Sequence, residues 1–319
     1  MVPADDHRLQ VSSDPGDALL AGVHDLLDAA TRADGATPLN EAALLALKHP
    51  DRGGARHLVA TDGTDGLRAT DAAGDVVGYA QLAPDGTGQL VVRPEHRRRG
   101  VGSRLVAELL ALAARQGTGL RVWALGDSPA AHALAARSGL VASRTLLVMR
   151  RPLADLPAPV VPDGITITTF RPGHDEQAWL TVNARAFAHH PEQGSIDAED
   201  LAERTNEAWF DPEGFFLARP VGETSGNVLG FHWTKQHEGG LGEVYVLGVD
   251  PDAQGRGLAK ALLLTGLAHL RDTGDDVVEL YVEADQPGPV GLYTAYGFIE
   301  ASRDVMYAGP DPAGVVSGP

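Results

Sequence analysis

Leu247-Gly248-Val249-Asp250-Pro251-Asp252-Ala253-Gln254-Gly255-Arg256-Gly257-Leu258-Ala259 decides the fold of this chain, because its pattern stands 157 residues earlier as Leu90-Val91-Val92-Arg93-Pro94-Glu95-His96-Arg97-Arg98-Arg99-Gly100-Val101-Gly102. Each stretch reads as an apolar strand end, a proline turn, a glycine-bearing turn and the first residues of a helix. A second pair of landmarks, Leu134 to Arg144 over Leu292 to Arg303, falls at an offset of 158. Two landmarks at nearly one offset and domain-sized separation mark a duplication, not a solenoid of short repeats.

The length of 319 residues suits two domains, each large enough to bury a core. Between the copies lies Arg151 to Pro162, whose four prolines favour extended backbone. The expected division is therefore residues 1–150, a linker at 151–163, and residues 164–319. In the second half, Val228 to Thr234 and Glu243 to Val249 have strand character, and Leu258 to Arg271 carries leucines at helical spacing. Val277 to Glu283 reads as a strand, Val290 to Tyr296 as a helix stopped by Gly297, and Phe298 onward as a strand. The expected class is α+β: two tandem domains, each a mixed, mostly antiparallel sheet flanked by helices.

A formal charge of −17 argues against a general phosphate-backbone binder, which needs a basic face. The absence of cysteine rules out a disulfide scaffold, a thiol nucleophile and a Cys-ligated metal. The N-terminus lacks a basic stretch followed by an apolar one, and the longest apolar run, Leu258 to Leu270, is broken by Lys260 and Thr265. A cytoplasmic monomer without a membrane partner is expected. His189-His190, His232 and His237 show no acidic partners at ligand spacing, so no metal is expected.

Small residues at 255, 257 and 259 let backbone approach a ligand closely, and the free amides at the helix start suit a pyrophosphate. Arg97, Arg98, Arg99, Gly100, Val101 and Gly102 repeat the device. A P-loop is excluded because no Gly-Lys-Ser/Thr ending follows, and a Rossmann fingerprint fails for want of one glycine and of the closing acid.

The Gln/Arg-x-x-Gly-x-Gly/Ala turn after a Val-x-Pro strand end resembles the pyrophosphate loop of the GNAT acyltransferase superfamily, and Tyr293 to Phe298 resembles its last helix and strand. The resemblance implies acetyl-CoA, held by Leu90 to Val92 and Arg97 to Gly102 in the first half. In the second half it implies Leu247, Gly248, Val249, Gln254, Gly255, Arg256, Gly257, Leu258, Ala259 and Lys260. It also implies that the strand before each loop splays from its neighbour to bond the pantetheine. Phe231 to Lys235, Gly242 to Pro251, His190 to Gly194, Glu207 to Pro212 and Met149 to Leu153 are similar to a tandem-GNAT acetyltransferase family. The acceptor of that family is a cysteinyl amine on a glucosaminyl-inositol pseudodisaccharide.

Aminolysis of a thioester needs a path for the amine proton and an acid for the departing thiolate. Glu243 can accept the proton through water where the first half, at the repeat offset, has Gly86. Tyr293 can protonate the thiolate where the first half has Ala135. The reaction is therefore expected in the second half, with the first half binding acetyl-CoA without turnover. By resemblance, Glu41, Glu192, Lys235, Glu243 and Tyr281 hold the acceptor. Two other readings share the loop: an N-acetyltransferase for another small amine or peptide, and a non-enzymatic acetyl-CoA-responsive binding protein. Gln286 to Gly291 departs from the superfamily, which usually has an Asn and then a helical Arg there.

Overall fold

The computed structural model describes residues 7–49, 54–62, 75–190, 193–224 and 226–309. In chain order the elements are β1 (His7–Ser12), α1 (Asp17–Asp34), α2 (Glu41–Lys48), β2 (Arg56–Asp62), β3 (Val76–Leu82), β4 (Thr87–Val92), α3 (Val101–Gln116), β5 (Arg121–Ala124), α4 (Pro129–Arg137) and β6 (Val141–Pro152). They continue with β7 (Ile165–Thr169), α5 (Glu176–Ala186), α6 (Ala198–Thr205), β8 (Phe215–Pro220), β9 (Gly230–His237), β10 (Leu241–Val249), α7 (Leu258–Asp272), β11 (Val277–Glu283), α8 (Pro287–Ala295) and β12 (Ile299–Ala308). Among the described residues no helix is long and apolar enough to cross a membrane.

Two compact units emerge, one made of Met1–Leu146 with Ser302–Pro319, the other of Leu147–Ala301. This differs from the division expected at 150 and 164. The last strand, β12, pairs antiparallel with β5, Val305 opposite Ala124 and Tyr307 opposite Val122, and so completes the first unit. The extended linker also begins later than expected. Arg151 and Pro152 still belong to β6, and Leu153 is fully buried. The Arg151 guanidinium bonds the Asp155 carbonyl at 2.9 Å and the Tyr296 carbonyl, tying that strand end to the close of α8.

Within the first unit the strand order is β1-β2-β3-β4-β5-β12, and within the second β6-β11-β10-β9-β8-β7. Neighbouring strands β1 to β4 pair antiparallel, as do β5 with β12 and β7 through β10, whereas β4 with β5 and β10 with β11 are parallel. In both units apolar residues line the two faces of the strands, as a sheet covered by helices on both sides demands. On one side of the first unit Leu105 and Leu109 of α3 pack on Leu58 and Val77; on the other, Val23 and Leu26 of α1 pack on Val59 and Tyr79. The second unit sets Leu263 and Leu267 of α7 on Val278 and Leu280. Its other face is aromatic: Trp179 of α5 meets Phe215, Phe231 and Trp233 edge-on at 5.8, 5.4 and 5.7 Å. Such pairs add roughly 0.5–1.5 kcal/mol each beyond area burial.

Most expected elements occur with shifted ends. The strand expected at Val228 to Thr234 is Gly230–His237, because the hairpin closes only at Gly239 and Gly240, both at positive φ (80° and 76°). The helix expected at Val290 begins earlier, at Pro287, since prolines fit a first turn whose amides lack intrahelical partners.

Candidate active site

In each unit the two parallel strands part after a short pairing. β10 meets β11 only at Leu241, Gly242 and Glu243, opposite Val277, Val278 and Glu279, yet β10 runs on to Val249 and β11 to Glu283. β4 likewise meets β5 only at Thr87 and Gly88. The expected splay before each loop is present twice, and it leaves Val244 to Val249 and Gln89 to Val92 unpaired with that neighbour.

The loops beyond repeat each other in backbone conformation. A 3₁₀ turn, Pro251–Ala253, leads to Gly255 at φ 75°, Gly257 at φ 82° and the start of α7. The first unit has Pro94–His96, then Arg98 at φ 65°, Gly100 at φ 91° and α3. A left-handed conformation costs a non-glycine residue about 1–2 kcal/mol, so Arg98 keeps the path at a steric penalty that Gly255 avoids. A side chain at Gly255 or Gly100 would meet nothing within 4 Å, so the approach to both loops is open. The first amides of α7, ahead of the Ala261 N–H that bonds Gly257, have no acceptor in the helix and point at this opening. Arg98, Arg99, Gly255, Arg256 and Lys260 are exposed here. Arg97, by contrast, is engaged: its guanidinium bonds Asp34 at 2.7 and 2.6 Å and the Val92 carbonyl at 3.1 Å. Its role is to brace the loop on α1. These features fit a CoA pyrophosphate: open backbone at left-handed positions, a helix N-terminus and exposed cations.

Glu243 is buried on β10 at the point where the strands part, and its Oε2 lies 2.6 Å from His237 Nε2. Register places Lys235 opposite Glu243 on β9 and Glu279 opposite it on β11, which makes a row of charges across three strands. Arg150 Nη2 lies 2.7 Å from Glu279 Oε2, and the Tyr281 hydroxyl donates to Glu279 Oε1 at 3.4 Å. The Lys235 ammonium lies over Trp209 and Tyr245, 4.4 and 5.2 Å from the ring centres. Hydrogen bonding to Glu243 raises the pKa of His237 above its ordinary 6.5, against the opposing effect of burial.

His237, expected to lack acidic partners, thus faces two; its ring nitrogen and the two carboxylates lie within 4.8 Å of one another. Sequence spacing hid this because the contacts run through strand register. Arg150 already neutralises Glu279, so the group is a hydrogen-bonded charge network whose cations are side chains. Glu279 and Arg150 were not singled out in the sequence. The signal was there for Glu279, which shares with Tyr281 one face of a strand at period two.

β10 bulges at Tyr245: pairing with β9 jumps from Val244 opposite Thr234 to Val246 opposite Trp233. β3 and β4 pair without a break, Gly78 opposite Val92 through Leu82 opposite Gly88. Counting back from the loop, the extra residue moves the first-unit counterpart of Glu243 from Gly86, where the repeat offset put it, to Thr87. The Thr87 hydroxyl donates to Asp85 Oδ2 at 2.8 Å and offers no carboxylate. Gly86 could not have carried one, since it has φ 86° and a Cβ there would stand 2.3 Å from the Gly119 carbonyl.

Tyr293, on α8, is buried in the α7-side core, edge-on to Phe298 at 5.6 Å. Its hydroxyl has no hydrogen bond among the described residues, and burial raises its pKa well above the ordinary 10.0. Ala135 occupies the matching place on α4, and both helices end alike, in Gly139 at φ 72° and Gly297 at φ 82°. Gln286–Gly291 forms the cap and first turn of α8.

Glu41 is the first residue of α2 in the first unit, whose cap Asn40 accepts from the Ala43 N–H. Glu192 lies outside the described residues. Its neighbour Gln193 is fixed by Asn183, whose Nδ2 donates to the Gln193 carbonyl at 2.7 Å.

Residues 25–140 and 180–298 each match the acetyltransferase (GNAT) family model, and the chain belongs to that family. It is an acetyl-CoA-dependent N-acetyltransferase with two tandem domains of the family's α+β fold. Its relatives narrow the class. It is 49% identical to the mycothiol acetyltransferase of Thermobispora bispora, covering 94% of this chain and 98% of that one, and 46% identical to that of Streptomyces coelicolor, covering 93% of each. Among solved structures, a tandem GNAT protein from the clavulanic acid biosynthesis pathway shares the fold at a TM-score of 0.70 and 21% identity, covering 95% of this chain and 98% of that one. A GCN5-related N-acetyltransferase from Sphaerobacter thermophilus aligns at a TM-score of 0.65 and 25% identity, covering 94% and 95%.

Proposed function

We propose that this chain acetylates the cysteinyl amine of a cysteinyl-glucosaminyl-inositol, giving mycothiol and CoA, and that the second unit carries the reaction. The observation that carries the reading is the buried Glu243 at the parting of β10 and β11, with no carboxylate at the matching Thr87, in a chain 49% identical to a mycothiol acetyltransferase. Bound acetyl-CoA supplies the acetyl thioester. Glu243 takes the proton of the acceptor ammonium through water, so that the neutral nitrogen attacks. As the C–N bond forms and the C–S bond breaks, Tyr293, kept protonated by burial, gives its proton to the sulfur, and the second proton that the nitrogen sheds on becoming an amide restores the phenol. Gly255, Gly257 and the α7 amides hold the pyrophosphate, with Gln254, Arg256, Leu258, Ala259 and Lys260 around it; Leu247, Gly248 and Val249 bond the pantetheine. Lys235, Glu243 and Tyr281, with Glu192, bind the acceptor. The first unit holds a second acetyl-CoA through Leu90 to Val92 and Arg98 to Gly102, without turnover.

The test is Glu243→Gln, with CoA release followed chromatographically on the cysteinyl pseudodisaccharide and on a panel of other amines. Turnover is expected to fall by roughly 10²–10⁴-fold with little change in acetyl-CoA affinity. Equal wild-type rates on simple amines would reassign the acceptor; an unchanged rate in the variant would remove Glu243 from the chemistry.

A further inference from the structure

We propose that His237 is the positioning residue of the Glu243 carboxylate: its Nε2–H ties up Oε2 and leaves Oε1 for the water that takes the acceptor's proton. The inference rests on the reading of Glu243 as the base and adds a residue that reading did not include.

Geometry comes first. His237 is the last residue of β9, paired with Leu241, and so stands diagonal to Glu243 and two residues beyond Lys235 on the same face. The Nε2 to Oε2 distance of 2.6 Å is that of a charge-assisted hydrogen bond. Oε1 of Glu243 has no partner among the described residues. A carboxylate bonded through one oxygen, on a rigid strand, presents the other in a fixed direction; one bonded through neither rotates.

Charge comes second. The groups facing the imidazole are Glu243 on β10, Glu279 on β11 and Lys235 on its own strand. Arg150 on β6 is spent on Glu279, and the Tyr281 hydroxyl also bonds that acid. Glu243 therefore has a second carboxylate as its neighbour across the strand pair. The imidazolium offsets that charge. Its hydrogen bond to Glu243 shifts its own titration upward from 6.5, so it stays charged to higher pH than a free imidazole. Removing it should take out of the pH profile of turnover the step that this titration sets.

The experiment is a cycle of full-length His237→Ala, Glu243→Gln and the double variant, with His237→Gln beside them. Measured for each are kcat and both KM values across pH, and the thermal midpoint. His237→Ala should lower kcat about 10- to 100-fold, leave the KM for acetyl-CoA unchanged and remove that step from the pH profile of kcat. His237→Gln, a neutral donor of similar reach, should recover part of kcat but not the step. In the Glu243→Gln background His237→Ala should add little. Wild-type kcat and pH profile in His237→Ala, beside an impaired Glu243→Gln, would overturn the His237 proposal and leave the base standing. Equal losses from His237→Ala in both backgrounds would also overturn it, since the residue would then act through the hairpin and not through Glu243. Wild-type turnover in Glu243→Gln would defeat both readings.

Discussion

Tyr293→Phe separates chemistry from packing with unusual clarity in this fold. The phenol ring is 8% exposed and packs edge-on against Phe298, contacts that phenylalanine keeps. Its hydroxyl makes no hydrogen bond among the described residues, so the substitution forfeits none of the roughly 0.5–1.5 kcal/mol that such a bond contributes. The thermal midpoint should therefore stay within a degree or two of wild type, or rise. Turnover should not. Burial holds the phenol protonated through neutral pH and well above it, ready to donate to the leaving sulfur, and phenylalanine has no proton to give. A lost general acid is worth roughly 10²–10⁴-fold in kcat, about 2.7–5.4 kcal/mol of barrier. Because the shift is upward, Tyr293 itself should cause no alkaline fall of kcat below pH 10, its ordinary value. The assay is kcat from CoA release between pH 6 and 10, with acetyl-CoA affinity by calorimetry and the midpoint by differential scanning fluorimetry. An unchanged kcat beside an unchanged midpoint would make Tyr293 a core residue only. Tyr293→Ala cannot decide the matter, since a cavity worth about 3–5 kcal/mol would confound it.

Gly257→Ala should weaken acetyl-CoA binding to the second unit and destabilise by about 1 kcal/mol, because the residue sits at φ 82°, although a Cβ would meet only Pro162 Cγ at an ordinary 3.7 Å. Calorimetry on the full chain should show a second site unaffected, and loss of both sites together would contradict separate loops. Gly266→Ala would place a Cβ 2.2 Å from the buried His232 ring, which bonds the Leu262 carbonyl at 2.8 Å. Overpacking of about 1–3 kcal/mol should lower the midpoint by several degrees, and an unshifted midpoint would show that α7 can slide on β9.

The repeat was the most legible part of the chain. It gave the doubled strand–loop–helix and its glycine-bearing turns, because glycine placement and apolar runs are local properties. What escaped was set by register and by distant pairing. The bulge at Tyr245 has no local signature, yet it turns Thr87 and not Gly86 into the counterpart of Glu243. Arg97 reads as a free cation until Asp34, 63 residues away, claims it. His237 looked isolated because five residues of hairpin separate it from Glu243 and a further strand brings Glu279 beside both. The same limit applied to β12, whose residues announce a strand without saying which neighbour it joins.

That last strand has a consequence for how the protein is made. The first unit needs Ser302 onward to pair with β5, so its sheet stays one strand short while Leu147–Ala301 is being translated. At about 5–20 residues per second, those 155 residues take roughly 8–30 s. Throughout that interval the edge of β5 at Val122 to Ala124 is an unpaired template for other chains. The second unit, contiguous in the chain, can close first, and a nascent chain halted before residue 302 would expose a sticky edge on an otherwise assembled domain. Synthesis of this enzyme is thus a race between the ribosome and aggregation at one short strand.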